Sequence, residues 1–174
     1  MKFRDYLNES SAADILKEDK VFLLIIGGSA SGKNYIHKKF FSKIDLVDVD
    51  AITTKLSGGD FEKARSLVSK AISMASKELE QYYAKGKSVA QVSTGSGAKA
   101  VINKFNKAKE YGFKTALVLV DVDIKKAIQR NQDRAASGKQ GLIPDWKVEK
   151  TNNAARETYN TVKDQVDHAI VIRN

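Results

Sequence analysis

Residues 21–34 read Val-Phe-Leu-Leu-Ile-Ile-Gly-Gly-Ser-Ala-Ser-Gly-Lys-Asn, and this stretch decides the fold. Six apolar residues come first, and an amphipathic segment containing Ile36, Phe40 and Phe41 follows. This order predicts a strand, a glycine-rich loop and a helix, which is the context of a phosphate-binding loop. The loop has the spacing G-x-x-x-x-G-K, and its predicted phosphate-binding residues are Gly27, Gly28, Ser29, Ala30, Ser31, Gly32, Lys33 and Asn34.

The residue types in this loop suit a nucleotide. Gly27 and Gly32 let the backbone curl around an anion, because they lack a side chain that would resist the required dihedral angles. Successive N–H groups of the loop and of the helix N-terminus then point at phosphate oxygens. Lys33 adds a point charge for the β- and γ-phosphates. We therefore predict that ATP or GTP binds here.

Position 34 departs from the motif. A serine or threonine hydroxyl that ligates Mg²⁺ is expected, and the chain has Asn34 instead. An amide oxygen is also a hard ligand that Mg²⁺ accepts, so Asn34 is our predicted metal ligand. A loop that has lost its chemistry is the other interpretation, and the sequence leaves both open.

Composition restricts the remaining possibilities. The 174 residues suffice for one domain with a sizeable core. The chain has no cysteine and two histidines, which argues against disulfides, thiol catalysis and multi-histidine metal sites. The net charge of +9 favours an anionic ligand, whether nucleotide, nucleic acid or acidic metabolite. The apolar runs are too short to span a bilayer, so we expect no membrane partner and a cytoplasmic location. We also expect a monomer.

Residues 44–50 alternate apolar residues with carboxylates and predict a second strand. Ligands of open α/β sheets lie at the carboxyl ends of strands. If Asp48 and Asp50 both belong to the strand, they share one face. We predict Asp48 as a further metal ligand.

Further strands are predicted at 88–95, 114–120 and 169–172, each after a helical pattern. The predicted fold is a single three-layer α/β domain, 21–174, with a mostly parallel five-stranded sheet flanked by helices. Residues 1–20 are predicted to be a loosely attached helix or tail. The helix at 60–84 is expected to bury one apolar stripe, made of Phe61, Ala64, Val68, Ala71, Ile72, Ala75, Leu79 and Tyr82.

Polar features follow the later strands. Thr94 and Gly95 form a loop after the third strand, where Gln91 takes the position that commonly carries a magnesium-associated carboxylate. Arg130 and Arg134 are four residues apart on the next predicted helix, hence on one side. The small, glycine-rich segment 135–144 is typical of a mobile lid. A last helix opens at Asp145, with Trp146, Ala155, Tyr159, Val162 and Val166 expected to face inward.

These motifs, in this order, resemble small P-loop kinases, most closely the zeta-toxin-like kinases and their phage members. The resemblance covers roughly 20–174. It rests on the loop, on Val47-Asp-Val-Asp50, on Thr94-Gly95, and on the block from Gly112 through Arg130-x-x-x-Arg134 to Gly141-Leu-Ile-Pro144. Asn34 and Gln91 depart from the usual pattern of these kinases.

The resemblance implies phosphoryl transfer with ATP and Mg²⁺. Lys33 and the loop amides would hold the phosphates, and Arg130 and Arg134 would neutralise the transferring group. Asp50 would accept the proton of an acceptor hydroxyl, and Thr94 and Gly95 would contact the acceptor.

Three functional classes remain open. The first is a kinase acting on a small molecule, a nucleotide or nucleotide-sugar. The second is a polynucleotide 5′-hydroxyl kinase, for which a basic groove continuous with the lid would be expected. The third is a nucleotide-binding protein without turnover.

The first nine residues, Met-Lys-Phe-Arg-Asp-Tyr-Leu-Asn-Glu, resemble capsid-targeting leaders of tailed phages. Leu7-Asn8-Glu9 is similar to Leu-x-Glu sites that prohead proteases cut. An ordinary amphipathic N-terminus is the alternative. The resemblance implies a protein of the host cytoplasm that is packaged in the phage head.

Overall fold

The computed structural model describes residues 11–138 and 141–174, and the leader-like residues 1–9 lie outside this range. A five-stranded, wholly parallel sheet in the order β2-β3-β1-β4-β5 forms the centre. The strands are β1 Val21–Ile26, β2 Asp45–Val47, β3 Val89–Ser93, β4 Lys114–Asp121 and β5 His168–Arg173. The predicted α/β fold with helices around a parallel sheet is confirmed.

Helices connect the strands and cover both faces of the sheet. Residues 11–16 form α1. The others are α2 Lys33–Phe40, α3 Val49–Ser57, α4 Phe61–Ala84, α5 Ala98–Glu110, α6 Ile124–Ala136 and α7 Asp145–Val162, followed by a 3₁₀ turn at Lys163–Gln165. None of the described helices has both the length and the apolar composition needed to cross a membrane.

The core has two main parts, one on each face of the sheet. Alternate residues of β1 point to opposite faces, so Leu24 packs in one cluster and Leu23 in the other. The first cluster joins β1 to α4, α5 and α7, and the second joins it to α1 and α2. All six residues of β1 are buried, because strands flank it and helices cover it.

The N-terminal helix is more firmly attached than predicted. Ala12 and Ile15 of α1 are buried in the second cluster, with Ile15 fully inaccessible. Glu18 Oε1 lies within hydrogen-bonding distance, 2.6 Å, of His168 Nε2 on β5. Residues 11–18 are therefore packed against the sheet.

The apolar stripe of α4 is only partly core. Ala71, Ala75, Leu79 and Tyr83 are buried, whereas Phe61, Val68 and Ile72 are exposed and Tyr82 is half-buried. The 24 residues of α4 span about 36 Å, whereas a six-residue strand spans about 20 Å. The sheet is too short to cover the whole stripe, so the prediction of a continuous core face was wrong.

The last helix also departs from the prediction at one residue, Trp146. α7 begins at Asp145 as predicted, and Val148, Ala155, Tyr159 and Val162 face the core. Trp146 does not: it is 64% exposed. It lies in the first turn, beside the exposed segment that precedes the helix, before the inward stripe begins at Val148.

Candidate active site

The loop after β1 is shaped by close contacts. A β-carbon at Gly27 would lie 2.5 Å from Ser31 Oγ and 2.9 Å from the carbonyl oxygen of Val120. Gly32 has a φ of 94°, in the left-handed region that favours glycine, and α2 begins directly after it. Ala30 also adopts a positive φ, 59°, which costs a non-glycine residue about 1 kcal/mol. The backbone is thus curled as the motif predicted.

Lys33 lies within this curl. Its Nζ donates to the carbonyl oxygens of Gly27 at 2.8 Å and Gly28 at 3.0 Å. Burial lowers the pKa of Lys33 to about 8, although Asp50 and Asp48 oppose the shift. The ammonium group is held where the loop would present it to a phosphate.

The two aspartates after β2 have different environments, which corrects the prediction that they share one face of a strand. The strand ends at Val47, and Asp48 is the N-cap of α3. Its Oδ1 accepts from the N–H of Asp50 at 2.9 Å, and its Oδ2 accepts from Asn34 Nδ2, also at 2.9 Å. An aspartate at this position stabilises the helix end, and that preference overrides the alternating strand pattern.

Asp50 lies in the first turn of α3 and is accessible to solvent. Desolvation, followed by the nearby charge of Asp48, raises the pKa of its carboxyl group, while Lys33 lowers it. A raised pKa makes a carboxylate a stronger proton acceptor.

A pocket of about 200 Å³ unites most of the predicted site. Its walls include Lys33, Asn34, Asp50, Thr94 and Arg134, together with loop residues Ser29, Ala30 and Gly32. Asp48 lies behind the pocket, only 8% exposed. Gly95 is not part of the wall: its φ is 65°, and an added β-carbon would lie 2.7 Å from the β-carbon of Ile26.

The two arginines lie on the same side of α6, and both line a neighbouring pocket of about 500 Å³. Arg130 Nη1 donates to the carbonyl oxygen of Ser31 at 3.3 Å, and its Nη2 donates to Asn174 Oδ1 at 3.5 Å. Arg134 is exposed and borders both pockets. Arg130 is therefore tied to the loop, while Arg134 is free to reach a ligand.

Gln91 lies outside the pocket. Its side chain is 3% exposed, and its amide oxygen accepts a hydrogen bond from Lys104 of α5. Its neighbour Val92 points to the other face of the sheet and lines the pocket. Burial lowers the pKa of Lys104. Gln91 therefore forms a buried polar pair with Lys104 and does not contribute to the pocket wall.

Oxygen atoms suited to Mg²⁺ are present at the loop. An N–H of the Asn34 amide donates to Asp48 Oδ2, which leaves the amide oxygen of Asn34 for a ligand, and Asp50 adds a carboxylate. Hard oxygen donors of this kind fit Mg²⁺, which binds through a few protein oxygens together with substrate phosphates. Within residues 11–138 and 141–174 there is no cluster of three histidine, cysteine or carboxylate side chains able to hold a metal.

Three residues that the sequence reasoning missed hold the backbone of the loop after β1 and of Ile143, which precedes α7. On α7, Thr151 Oγ1 accepts from the N–H of Ser29 at 3.0 Å, and Asn152 Nδ2 donates to the carbonyl oxygen of Ser29 at 3.1 Å. On α6, Asn131 donates to the carbonyl oxygen of Ile143 at 2.7 Å and accepts from its N–H.

A signal for two of them is visible in the sequence. Asn131 follows buried Ala127 by four residues, and Asn152 follows buried Val148 by the same interval. Both amides therefore lie on an apolar helix stripe. A buried polar side chain needs a partner, and in both helices the partner is the backbone of a functional loop.

The model of the AAA domain family (AAA_33) matches residues 22–158, which is most of the chain. This range includes every residue named above in the walls of the two pockets at the loop, and of the other lining residues it leaves out Asn174. The chain belongs to this family. This AAA domain has the phosphate-binding loop at its start and the α6–α7 connection near its end. No curated protein sequence matches it significantly.

Solved structures share the fold of this AAA domain at low sequence identity. A Chloroflexus aurantiacus protein assigned as a kinase has a TM-score of 0.67 and 13% identity, over 90% of this chain and 86% of its own. A structure of the PezAT toxin–antitoxin system of Streptococcus pneumoniae has a TM-score of 0.68 and 12% sequence identity, over 98% of this chain and 77% of that chain. The AvrRxo1-ORF1:-ORF2 complex with ATP has a TM-score of 0.68 and 17% sequence identity, over 93% of this chain and 56% of that chain.

Proposed function

We propose that this protein transfers the γ-phosphate of ATP or GTP to a hydroxyl group of a small molecule, a nucleotide or nucleotide-sugar. The observation that carries the proposal is that Lys33 and Asp50 line one pocket. One is a cation on a phosphate-binding loop, and the other is an accessible carboxylate whose pKa is raised. The kinase-like fold and the ATP-bound neighbour support a nucleotide as phosphoryl donor.

The chain supplies charge and alignment to the reaction. The loop amides and Lys33 bind the β- and γ-phosphates, and Arg134 reaches over the pocket to the transferring group. Asp50 takes the proton of the acceptor hydroxyl as the hydroxyl oxygen bonds to the γ-phosphorus. The bond between that phosphorus and the oxygen that bridges to the β-phosphate breaks and releases ADP or GDP. Mg²⁺, when bound, neutralises charge on the phosphates. Asn34 is its proposed ligand, through the amide oxygen, and Asp48, which is 8% exposed and accepts a hydrogen bond from Asn34 Nδ2, would hold that amide in place.

Replacement of Asp50 by asparagine tests this proposal. Asp50→Asn keeps the size of the side chain and removes the base, so turnover should fall by about 10²–10⁴-fold. ATP affinity should hardly change, because Asp50 takes no part in the loop. The measurement is ADP release with a panel of nucleotides and nucleotide-sugars, beside the dissociation constant of ATP.

Glu62→Gln is the matched control. It also removes one carboxylate charge, from a side chain 84% exposed at the start of α4, and should leave turnover unchanged. If Asp50→Asn remains within a few-fold of the unaltered protein, the base assignment is wrong and Asp48 is the next candidate.

A nucleotide-binding protein without turnover is the second candidate. It is favoured by the absence of the expected serine or threonine hydroxyl at position 34, where Asn34 also uses its amide nitrogen to hold the carboxylate of Asp48. The same panel distinguishes the two: ATP binding without transfer to any acceptor supports the second candidate. The polynucleotide kinase is less favoured, since among the described residues the lysine-lined groove between α3 and α4 shares no wall residue with the pockets at the loop.

A further inference from the structure

A second groove lies between α3 and α4, away from the phosphate-binding loop. Ile52, Lys55 and Leu56 form its α3 wall, and α4 lines it from Met74 to Lys85. Its volume is about 830 Å³, larger than either pocket at the loop, and it shares no wall residue with them. Nothing in the proposed phosphoryl transfer uses it.

The groove faces away from the reacting carboxylate. Successive residues of an α-helix are about 100° apart, so Ile52 and Leu56 are rotated by about 160° and 120° from Asp50. The body of α3 therefore separates the two sites. This is why the groove is distinct from the acceptor side of the pocket.

Positive charge dominates the groove. Four lysines line it, namely Lys55, Lys77, Lys85 and Lys87, against the single carboxylate of Glu78. Lys87 is engaged in a 2.6 Å salt bridge with Asp45. The other three lysines are exposed and form no salt bridge with any described residue.

The spacing of these charges indicates an elongated ligand. Lys77 lies on α4 and Lys85 caps its C-terminal end, eight residues later, which is about 12 Å along the helix axis. Lys55 adds a third charge from the opposite wall. One compact phosphate group could not contact all three ammonium groups, whereas a chain of phosphates would meet them in turn.

The residue types indicate recognition without sequence reading. Lysine presents a point charge, whereas the planar fork of arginine suits directional, bidentate contacts, and none of the described arginines lines the groove. Among the described residues of the wall Tyr82 is the only aromatic one, and the ammonium group of Lys87 lies 5.7 Å from the centre of its ring. We propose that this groove binds a single strand of nucleic acid through its phosphates, independently of base sequence and of the phosphate-binding loop.

The test is fluorescence anisotropy with a labelled single-stranded RNA of about twelve nucleotides and mixed sequence, at low salt. The variant Lys55→Gln/Lys77→Gln/Lys85→Gln should lose at least about tenfold in affinity. Because about 0.7 counterions are released per contacted phosphate of a single strand, the slope of log affinity against log salt should fall by about 2. Nucleotide binding at the loop should be unaffected.

Lys43→Gln/Lys99→Gln/Lys125→Gln is the matched control. It lowers the net charge by the same amount at exposed lysines outside the groove and should retain affinity within a few-fold. A second check is Lys33→Ala, which should bind the strand normally. This keeps the result independent of the proposed kinase activity.

Three outcomes would overturn the proposal. The first is absence of strand binding by the unaltered protein, and the second is equal loss in the groove variant and its charge-matched control. In the third, a polyglutamate peptide of equal charge displaces the strand as well as unlabelled RNA does, which would assign the groove to an acidic protein segment.

Discussion

Single side chains at the loop decide how the site responds to pH. Lys33 is the main example, because its ammonium group is buried among backbone carbonyls and its pKa is lowered to about 8. A phosphate ligand favours the charged form, so a nucleotide raises this pKa again when it binds. We therefore expect the affinity for nucleotide to depend on the protonation of this lysine.

We expect ATP affinity to be constant up to about pH 8 and then to fall by up to about tenfold per pH unit as the free protein loses the Lys33 proton. Calorimetric or fluorescence titration with ATP between about pH 7.5 and pH 9.5 measures this. Lys33→Arg is the control, because guanidinium stays charged throughout. A decline of the same size in Lys33→Arg would assign the titration to another group.

At the scale of elements, α7 supports the phosphate-binding loop as directly as β1 and α2 do. Thr151 and Asn152 bind the backbone of Ser29, and Gly28 provides the space for this contact. A β-carbon at Gly28 would lie 2.3–2.5 Å from side-chain and backbone atoms of Asn152. Glycine is needed at position 28 because there is no room for a β-carbon. The dihedral angle is not the reason, since the φ of Gly28 is outside the left-handed region.

Gly28→Ala should therefore separate α7 from the loop. We expect a loss of about 1–3 kcal/mol in the free energy of unfolding, the usual cost of overpacking, together with weaker ATP binding. Thermal unfolding and ATP titration measure the two effects. Gly141→Ala is the control for stability, because an added β-carbon there meets nothing within 4 Å. Unchanged unfolding of Gly28→Ala would show that Asn152 does not hold the loop.

At the scale of the whole molecule, α1 completes the core on the face of the sheet that carries the phosphate-binding helix. Ile15 is fully buried among residues of that cluster, whereas the next residue, Leu16, is 36% exposed. These neighbours have similar apolar side chains and differ mainly in what surrounds them. They allow the attachment of α1 to be measured directly.

Ile15→Ala should lower the free energy of unfolding by about 2–5 kcal/mol, because it removes buried methyl groups and leaves a cavity. Leu16→Ala should change it by about 0.5 kcal/mol or less, as surface substitutions usually do. Denaturant unfolding of the two variants gives both values. Equal, small effects would mean that α1 is peripheral and that the domain begins near residue 21.

The loop motif and the strand pattern predicted the fold, because local residue types carry that information. Six consecutive apolar residues require burial on both faces, and G-x-x-x-x-G-K requires a strand before it and a helix after it. The same local reasoning placed Lys33, Asn34, Asp50, Thr94 and Arg134, which line one pocket because carboxyl ends of parallel strands meet at one edge.

Other features depend on contacts between residues far apart in the chain. Asp48 became a helix cap because it is the single residue between the end of β2 and the start of α3, and the stripe of α4 became partly exposed because the helix is longer than the strands. The bonds of Asn152 to Ser29 and of Asn131 to Ile143 arise only when helices dock on loops. Sequence alone therefore determined the fold and the residue types at the loop, whereas the tertiary structure decided which polar residues support that loop, since burial and partner choice depend on packing.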